Sequence, residues 1–425
     1  MSELAIFGGK PVIPEPLPRY CSIGEAEAEA VAAVVRRGCL SGFYGSWRKG
    51  FFGGELVQRF EKDWSARFGC KHTVSVNSAT SGLVAAVGAA GVGPGDEVIV
   101  PPYTMSATVV SPLAYGAVPV FADIEPDTFC IDPADVARKI TPRTRAVIAV
   151  NLFGHPARLH ELRALCEAKG LVLIEDNAQG PLAAENGKLA GTIAHIGVFS
   201  LNYHKHIHTG EGGMCCTDDD RLALRMQLIR NHAESVVEQA GVDDLSNLFG
   251  FNLRLTELSA AVGIEQLKNV DGHVAARERV CQRLSAELAG LEGITVPAVR
   301  PGCRHVYYLW PVRVDAAALG CSREQFAKAL NAEGFPIYCG YVRPLYLLPL
   351  FQKRVAVGRE GYPFSQSDVQ YPKGLCPVCE RMHFTELMAY EPTNWDVDDD
   401  TAGLLVQAFR KVHARRAELV GLEAA

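Results

Sequence analysis

The sequence predicts an α/β protein with a mostly parallel, doubly wound sheet and a smaller C-terminal α+β domain. Two observations lead to this expectation. Between about residues 70 and 220, short apolar runs rich in Val and Ile alternate with helix-like segments. After about residue 255 a long amphipathic segment is followed by a mixture of short strands and helices. Repeated strand–helix–strand units are typical of layered folds built on a parallel sheet.

Six apolar runs are the expected strands of the sheet. They are apolar throughout, which is typical of strands that are buried on both faces. In chain order they are HTVSV (72–76), EVIVP (97–101), VPVFA (118–122), AVIAV (146–150), LVLIE (171–175) and IGVFS (196–200). Helical spacing of apolar residues, as in 159–166, predicts helices between the strands.

A chain of 425 residues is too long for one small core, so we expect two domains. Residues 1–255 are predicted to form an N-terminal segment and the large domain. Residues 256–425 are predicted to form a bridging helix, over about 256–292, and the small α+β domain.

Composition and charge indicate which partners the protein is expected to lack and where in the cell it is expected to be. The net charge of -6 argues against nucleic acid and anionic membranes as partners, because both bind basic surfaces. We find neither a signal-peptide pattern at the N-terminus nor about eighteen consecutive apolar residues. Thirteen scattered cysteines do not indicate a disulfide framework. The sequence therefore predicts a cytoplasmic protein.

Polar residues follow three of the predicted strands, at the sheet edge where ligands of parallel sheets bind. The first such segment is 77–82, in which Ser78, Ala79 and Thr80 precede a helix. Small residues at a helix N-terminus let backbone N–H groups approach an anion such as a phosphate. An ordinary helix N-cap has the same pattern, so this segment alone does not distinguish a phosphate site from a helix cap.

The second segment places Glu175 and Asp176 directly after an apolar strand. A buried carboxylate is costly unless a cation or a metal pairs with it. A protonated pyridine nitrogen is such a cation, and an Asp beneath it would keep the ring an effective electron sink. A metal-binding Asp and a solvated strand end are the alternatives.

The third segment places Lys205 after a buried strand and before the glycine-rich residues 210–213. A lysine in a desolvated pocket has a lowered pKa, so it can form a Schiff base and carry protons. Ser200 lies five residues earlier and could contact a cofactor phosphate. Lys205 in isolation would be read as a solvated surface residue, but its position after the other two segments favours a cofactor site.

Together these motifs resemble the fold-type I pyridoxal-phosphate sugar aminotransferases of the DegT/StrS group. The resemblance covers nearly the whole chain, through FGGKPV, GDEVIVPPYTMSATV, IEDNAQG, FSLNYHKHIHTGEGG and GFNLRLTELSAAVGIEQL. It implies the type I transferase fold for the large domain. It also implies pyridoxal 5'-phosphate (PLP) as cofactor, with pyridoxamine 5'-phosphate as the intermediate form.

The resemblance also assigns roles to individual residues. It implies that Lys205 forms the Schiff base, that Asp176 pairs with the pyridine nitrogen, and that Gln179 lies against the ring near its 3-oxygen. Asn252, in the matched GxN motif, is typically lent by the other subunit, which implies a homodimer with shared sites. The implied phosphate ligands are Ser78, Ala79, Thr80 and Ser200.

One position departs from the family pattern. An aromatic residue that stacks on the pyridine ring usually follows the Thr of the P-x-T motif, but Met105 stands there in this sequence. Either Met105 covers the ring through its thioether, or Tyr103, two residues earlier, takes the place of the aromatic residue.

We predict no metal site. A zinc site built from His204, His206 and His208 would need a fourth ligand that the sequence does not supply, so these are expected to be ordinary pocket histidines. Cys376 and Cys379 form a single CxxC without a second pair, and buried thiols are the expected interpretation.

The resemblance implies a two-step transfer of an amino group from Glu or Gln to a ketone. The ketone would be a nucleotide-linked keto-sugar or a keto-cyclitol, and the product would serve antibiotic or surface-polysaccharide biosynthesis. The FGGKPV opening and the CPVCERMHF segment are more similar to the cyclitol and aminoshikimate-type members. One alternative is a PLP- or pyridoxamine-dependent sugar dehydratase, a lyase in which histidine replaces the lysine. A non-catalytic regulator on the same fold is another, but it would be expected to lose Lys205 or Asp176.

Overall fold

The computed structural model describes residues 3–422, so the outer ends of the two predicted domains, 1–2 and 423–425, lie outside the described residues. In the described part the strands, in chain order, are β1 (His72–Val76), β2 (Glu97–Val100), β3 (Val118–Phe121), β4 (Thr144–Val150), β5 (Val172–Asp176), β6 (Ala184–Glu185), β7 (Lys188–Leu189), β8 (Ile196–Ser200), β9 (Gly213–Thr217), β10 (Ile294–Thr295), β11 (Cys303–Arg304), β12 (Trp310–Val314), β13 (Tyr338–Cys339) and β14 (Leu387–Tyr390).

The helices connect and cover these strands. In the same residues the α-helices are α1 (Glu25–Arg37), α2 (Glu55–Phe68), α3 (Ala79–Ala89), α4 (Ala107–Val110), α5 (Pro133–Lys139), α6 (Leu159–Lys169), α7 (Asp220–Arg230), α8 (Glu257–Leu288), α9 (Ala316–Leu319), α10 (Arg323–Ala332), α11 (Pro349–Gln352), α12 (Pro377–Arg381) and α13 (Asp399–Ala414).

A seven-stranded sheet is the centre of the fold, and its strand order is β1-β9-β8-β5-β4-β2-β3. All six predicted strands are present in it and run parallel to one another. The seventh strand, β9, pairs antiparallel with both β1 and β8. The sequence analysis did not predict β9, because its GMCCT run directly follows a glycine-rich turn and carries no Val or Ile. The predicted fold class is confirmed.

The bridging helix is also present, as α8, and it contacts α1, α2 and α13. Beyond it, β10, β12, β14 and β13 form a second, antiparallel sheet. The apolar core of this sheet includes Leu4, Ile13 and Leu17 from the N-terminal segment. The division of the chain at residue 255 therefore stays a prediction, since both ends of the chain contribute to this smaller core.

The helices of the described residues 3–422 include none with the length and apolar character needed to cross a membrane.

Candidate functional site

A cavity of about 260 Å³ lies at the carboxyl ends of β1, β2, β5 and β8. Its position is the one at which open parallel sheets bind ligands. The structure brings most of the predicted site residues together in its wall. These are Ser78, Ala79, Thr80, Met105, Asp176, Gln179, Ser200 and Lys205.

The N-terminus of α3 forms one end of the cavity. The Ser78 hydroxyl caps the helix by accepting a hydrogen bond from the Ser81 N–H at 3.1 Å. The first N–H groups of a helix have no partner within it, so this turn can bind an anion. Gly213 of β9 approaches the same turn so closely that a Cβ there would lie 2.8 Å from the Ala79 nitrogen. Only glycine permits this approach.

The two carboxylates at the end of β5 have different environments. Strand alternation turns neighbouring side chains to opposite faces. The buried Asp176 accepts hydrogen bonds from the Thr108 hydroxyl at 2.7 Å and the Ala178 N–H at 3.1 Å, on the cavity side. Burial raises its pKa, and these bonds oppose the rise. Glu175 instead binds three backbone N–H groups of residues 191–194, so it holds that loop in place.

Lys205 opens onto the cavity from the loop that follows β8. The loss of water around its amine lowers the pKa to about 8, although the negative charges of Asp176 and Glu391 act in the opposite direction. Its Nζ lies 4.3 Å from the centroid of the Tyr308 ring. A lysine with this pKa has a substantial neutral fraction near neutral pH and can act as a nucleophile or a base.

Gln179 is held from both ends of its amide. Its Oε1 accepts a hydrogen bond from the Phe153 N–H at 2.7 Å, and its Nε2 donates to the Tyr341 hydroxyl at 3.1 Å. Tyr341 also lines the cavity, as do Tyr308 and Asn202. Tyr308 and Tyr341 belong to no motif that the sequence analysis used, so spacing gave no signal for them. Asn202 lies within the FSLNYHKHIHTGEGG segment, but the sequence analysis gave it no role.

Two predicted site residues lie outside the cavity wall. Tyr103 is fully buried, and its ring packs edge-on against Phe153 and Tyr341. Tyr103, three residues after the end of β2, therefore lies in the core and not in the cavity wall, and its role beside the ring stays a prediction. Met105 does line the cavity and is 58% exposed at its opening. Asn252 is exposed and pairs through its backbone with Asn231.

The three neighbouring histidines have separate surroundings. His204 lines the cavity, the Nε2 of His206 lies 2.8 Å from the Val306 carbonyl oxygen, and His208 accepts a hydrogen bond from the Gly210 N–H. Burial lowers the pKa of His206 to about 3 and that of His204 to about 4. Over residues 3–422, no three His, Cys, Asp or Glu side chains form a group suited to a metal ion.

The CxxC pair lies in the core of the large sheet. Cys376 and Cys379 are fully buried, and burial raises the pKa of both thiols. The backbone N–H groups of Val378 and Cys379 donate to the Asp123 carboxylate at 2.8 and 3.0 Å. This segment therefore anchors α12 to the loop after β3.

Comparison with known proteins gives consistent matches. The sequence model of the DegT/DnrJ/EryC1/StrS aminotransferase family matches residues 45–376. The L-glutamine:2-deoxy-scyllo-inosose aminotransferase of Streptoalloteichus tenebrarius is 35% identical, over 89% of this chain and 90% of that protein. GDP-perosamine synthase of Caulobacter vibrioides is 37% identical, over 70% of this chain and 78% of that protein. The X-ray structure of the aminotransferase from Psychrobacter cryohalolentis superposes with a TM-score of 0.82 at 29% identity, covering 94% and 99% of the two chains.

Proposed function

Because the chain belongs to the DegT/DnrJ/EryC1/StrS family of PLP-dependent aminotransferases, we propose that it transfers an amino group from L-glutamine to a keto-cyclitol, with Lys205 and Asp176 at the reacting centre. The observation that carries the proposal is the meeting of a buried carboxylate, a low-pKa amine and a helix N-terminus at one cavity.

The cavity residues fit a pyridine ring that carries a phosphate. Within residues 3–422, no Lys, Arg or His lies within ion-pair distance of Asp176, and the Lys205 charge acts on it only from further away, so a cationic ring nitrogen would supply a direct partner. The Asn202 Oδ1 is buried and has no hydrogen-bond partner in the described part of the chain, and its side chain lines the same cavity. When bound, PLP supplies the electron sink that makes a bond at an amino acid's α-carbon labile.

Each part of the cavity has a distinct role in holding this cofactor. The first turn of α3 and the Ser200 hydroxyl would bind the phosphate, as helix N-termini commonly do. Asp176 would hold the ring nitrogen. Gln179, whose amide is fixed by Phe153 and Tyr341, would contact the ring at its 3-oxygen.

Lys205 would both hold the cofactor and, once the amino donor has displaced it, carry the proton. Its freed Nζ would take the proton from the α-carbon of the amino donor and would later deliver a proton to the carbon that receives the amino group. A neutral amine is needed for the first of these steps, and the pKa of about 8 supplies it near neutral pH. The lyase alternative requires a histidine in place of Lys205, so the lysine supports transfer.

A second cavity, of about 270 Å³, adjoins the first and shares Lys205 and His204 with it. Residues 19–23 form one wall, and His208, Thr393 and Asn394 supply groups that can bind ring hydroxyls. Arg19 also lines this cavity, and its guanidinium lies 4.5 Å from the Trp395 ring centroid. This cavity, together with the longer alignment to the inosose aminotransferase than to the perosamine synthase, supports the cyclitol acceptor.

A homodimer with shared sites is part of the proposal. Asn252 is exposed and lies outside its own cavity, which supports its reaching the site of a second subunit. Exposed apolar side chains, among them Met105, Tyr203 and Phe249, would be available to such an interface.

The acceptor class is tested with a substrate panel. The holoenzyme is incubated with L-glutamine or L-glutamate and either an inosose or a nucleotide-linked keto-sugar, and amine products are identified by mass spectrometry. We expect amination of the inosose with L-glutamine as the better donor, and none with Lys205→Ala. Amination of the nucleotide-linked sugars alone would overturn the acceptor assignment, and release of ammonia with a deoxy-ketone would overturn transfer itself.

A further inference from the structure

The Lys205 amine lies against the face of an aromatic ring. Its Nζ is 4.3 Å from the centroid of the Tyr308 ring, and both residues line the cofactor cavity. Within residues 3–422, no carboxylate lies within ion-pair distance of this amine. Asp176 and Glu391 act on it only from further away, through the charge of their carboxylates. The ring face is therefore the closest group that can stabilise a positive charge on Nζ.

Two backbone hydrogen bonds fix the segment that carries the ring. The Val306 N–H donates to the Gly154 carbonyl oxygen at 2.9 Å, and the Leu309 N–H donates to the Phe153 carbonyl oxygen at 3.2 Å. Gly154 has a φ of 94°, and a Cβ there would lie 2.8 Å from the Tyr308 nitrogen. Only glycine lets the two segments approach in this way. Tyr308 is 5% exposed, so its ring has little freedom to move away from the amine.

The other groups around the ring are neutral near neutral pH. The ring centroids of His204 and His206 lie 6.1 and 6.3 Å from that of Tyr308. Burial lowers the pKa of His204 to about 4 and that of His206 to about 3. Burial also raises the pKa of the Tyr308 hydroxyl, which therefore carries no charge. The ring face, and not an ionised hydroxyl, is what Lys205 contacts.

We propose that Tyr308 is a positioning residue for Lys205, whose ring face stabilises the Nζ ammonium whenever the amine carries a proton. An aromatic face has a negative electrostatic potential and attracts a cation within about 6 Å of its centroid, most strongly where water is excluded. The contact acts in the apoprotein, and it acts again in the proposed reaction once the amino donor has freed the amine.

In the proposed function the ring assists proton transfer. The freed Nζ becomes positively charged as it takes the proton from the donor's α-carbon, and that charge develops beside the ring of Tyr308. A fixed group that stabilises charge as it develops lowers the barrier of the step. This consequence rests on the proposed function, whereas the contact in the apoprotein does not.

The titration of Lys205 in the apoprotein tests the contact without the cofactor. Apoprotein is labelled with a trace of acetic anhydride across a pH series, and mass spectrometry measures the acetylation of Lys205. Tyr308→Leu should lower the midpoint by about 0.5–1 pH unit, because the ammonium loses its partner. Tyr308→Phe keeps the ring and should keep the wild-type midpoint. Tyr44→Leu removes an exposed ring that packs against Arg48, and it should leave the midpoint unchanged.

Ring-fluorinated phenylalanines at position 308 test the same contact while keeping the shape of the side chain. Fluorine withdraws electron density from the ring face, so the midpoint of Lys205 should fall stepwise as fluorines are added. Midpoints that do not depend on fluorination would overturn the proposal. An equal shift in Tyr308→Phe and Tyr308→Leu would also overturn it, because the ring would then not be the stabilising group.

The holoenzyme tests the role in proton transfer. At a pH where the amine is neutral, Tyr308→Leu should lower kcat about fivefold, with little change in the KM of the acceptor. The isotope effect from α-deuterated L-glutamine should increase, and Tyr308→Phe should restore both values. An unchanged isotope effect in Tyr308→Leu would overturn this role. A wild-type enzyme that aminates no ketone would contradict the proposed function instead, and the apoprotein titration would still test the contact.

Discussion

The hydroxyl of Thr108 donates a 2.7 Å hydrogen bond to Oδ2 of Asp176 from the short helix α4. The Ala178 N–H binds the other oxygen, Oδ1, so the plane of the carboxylate is fixed. Both bonds favour the ionised form, and they oppose the effect of burial on the pKa of Asp176. Thr108 is therefore a positioning residue for the proposed ring-nitrogen partner.

Replacing Thr108 with Val should weaken cofactor binding and slow amino transfer by about tenfold or more. A hydrogen bond to a charged group is worth about 1.5–3 kcal/mol, and its loss lets the pKa of Asp176 rise. The acid limb of the rate–pH profile should accordingly move to higher pH. Thr108→Ser keeps the hydroxyl and should restore both the rate and the profile. A Val variant with the wild-type profile would contradict this role.

Replacing Asp176 with Asn should have opposite effects on stability and activity. The folded pKa of Asp176 is raised, so the carboxyl contributes stability below its ordinary pKa of 3.8 and loses it as pH rises through the folded value. The variant apoprotein should therefore unfold at a higher temperature than wild type at neutral pH. Amino transfer should fall by several powers of ten, because Asn cannot hold a ring-nitrogen proton electrostatically.

The matched control for this substitution is Asp63→Asn, which changes a surface carboxylate. It should leave the apoprotein's unfolding temperature and the transfer rate near wild type. Normal turnover in Asp176→Asn would mean that another group pairs with the ring nitrogen.

The rate at which apoenzyme captures PLP should increase with pH and level off above about pH 8. The reacting species is the neutral amine of Lys205, whose pKa is lowered to about 8 from the ordinary 10.5. Between these values the unfolded state binds more protons, so this group should also make folding more favourable as pH rises across that window. Stopped-flow absorbance measures capture. A rate that keeps rising toward the ordinary lysine pKa would contradict the assignment.

Shared sites predict complementation between two inactive variants. Lys205→Ala subunits carry an intact Asn252, and Asn252→Ala subunits carry an intact Lys205. Mixing them under conditions that exchange subunits should restore activity, because one site of each mixed dimer would have both residues. Native mass spectrometry confirms the exchange. No recovery after exchange would place Asn252 outside the partner's site.

Much of the large sheet could be predicted because strands buried on both faces are continuous apolar runs. Strand β9 could not, since its pairing with β1 and β8 is long-range and its GMCCT sequence has weak strand character. The small core also escaped prediction, because its apolar residues come from the two ends of the chain, as with Leu4 and Leu405.

Some residues of the candidate site could likewise be predicted from the sequence, and others could not. Residues at strand ends, such as Asp176 and Lys205, could be predicted because parallel strands bring their carboxyl ends to one edge. Tyr308 and Tyr341 reach the site through tertiary packing, and neighbouring residues in the sequence give no sign of it. Thr108 lies within the matched segment GDEVIVPPYTMSATV, but its hydrogen bond to Asp176 is a tertiary contact that the sequence does not show. The homodimer and the cytoplasmic location stay predictions.

Borohydride reduction followed by peptide mapping tests the central claim most directly. The holoenzyme is reduced, digested and analysed by mass spectrometry for a lysine that carries the reduced cofactor. We expect the mass addition on Lys205 and a loss of activity in proportion to labelling, with no label in Lys205→Arg. A cofactor attached to a different lysine, or no covalently trapped cofactor in active enzyme, would contradict the account.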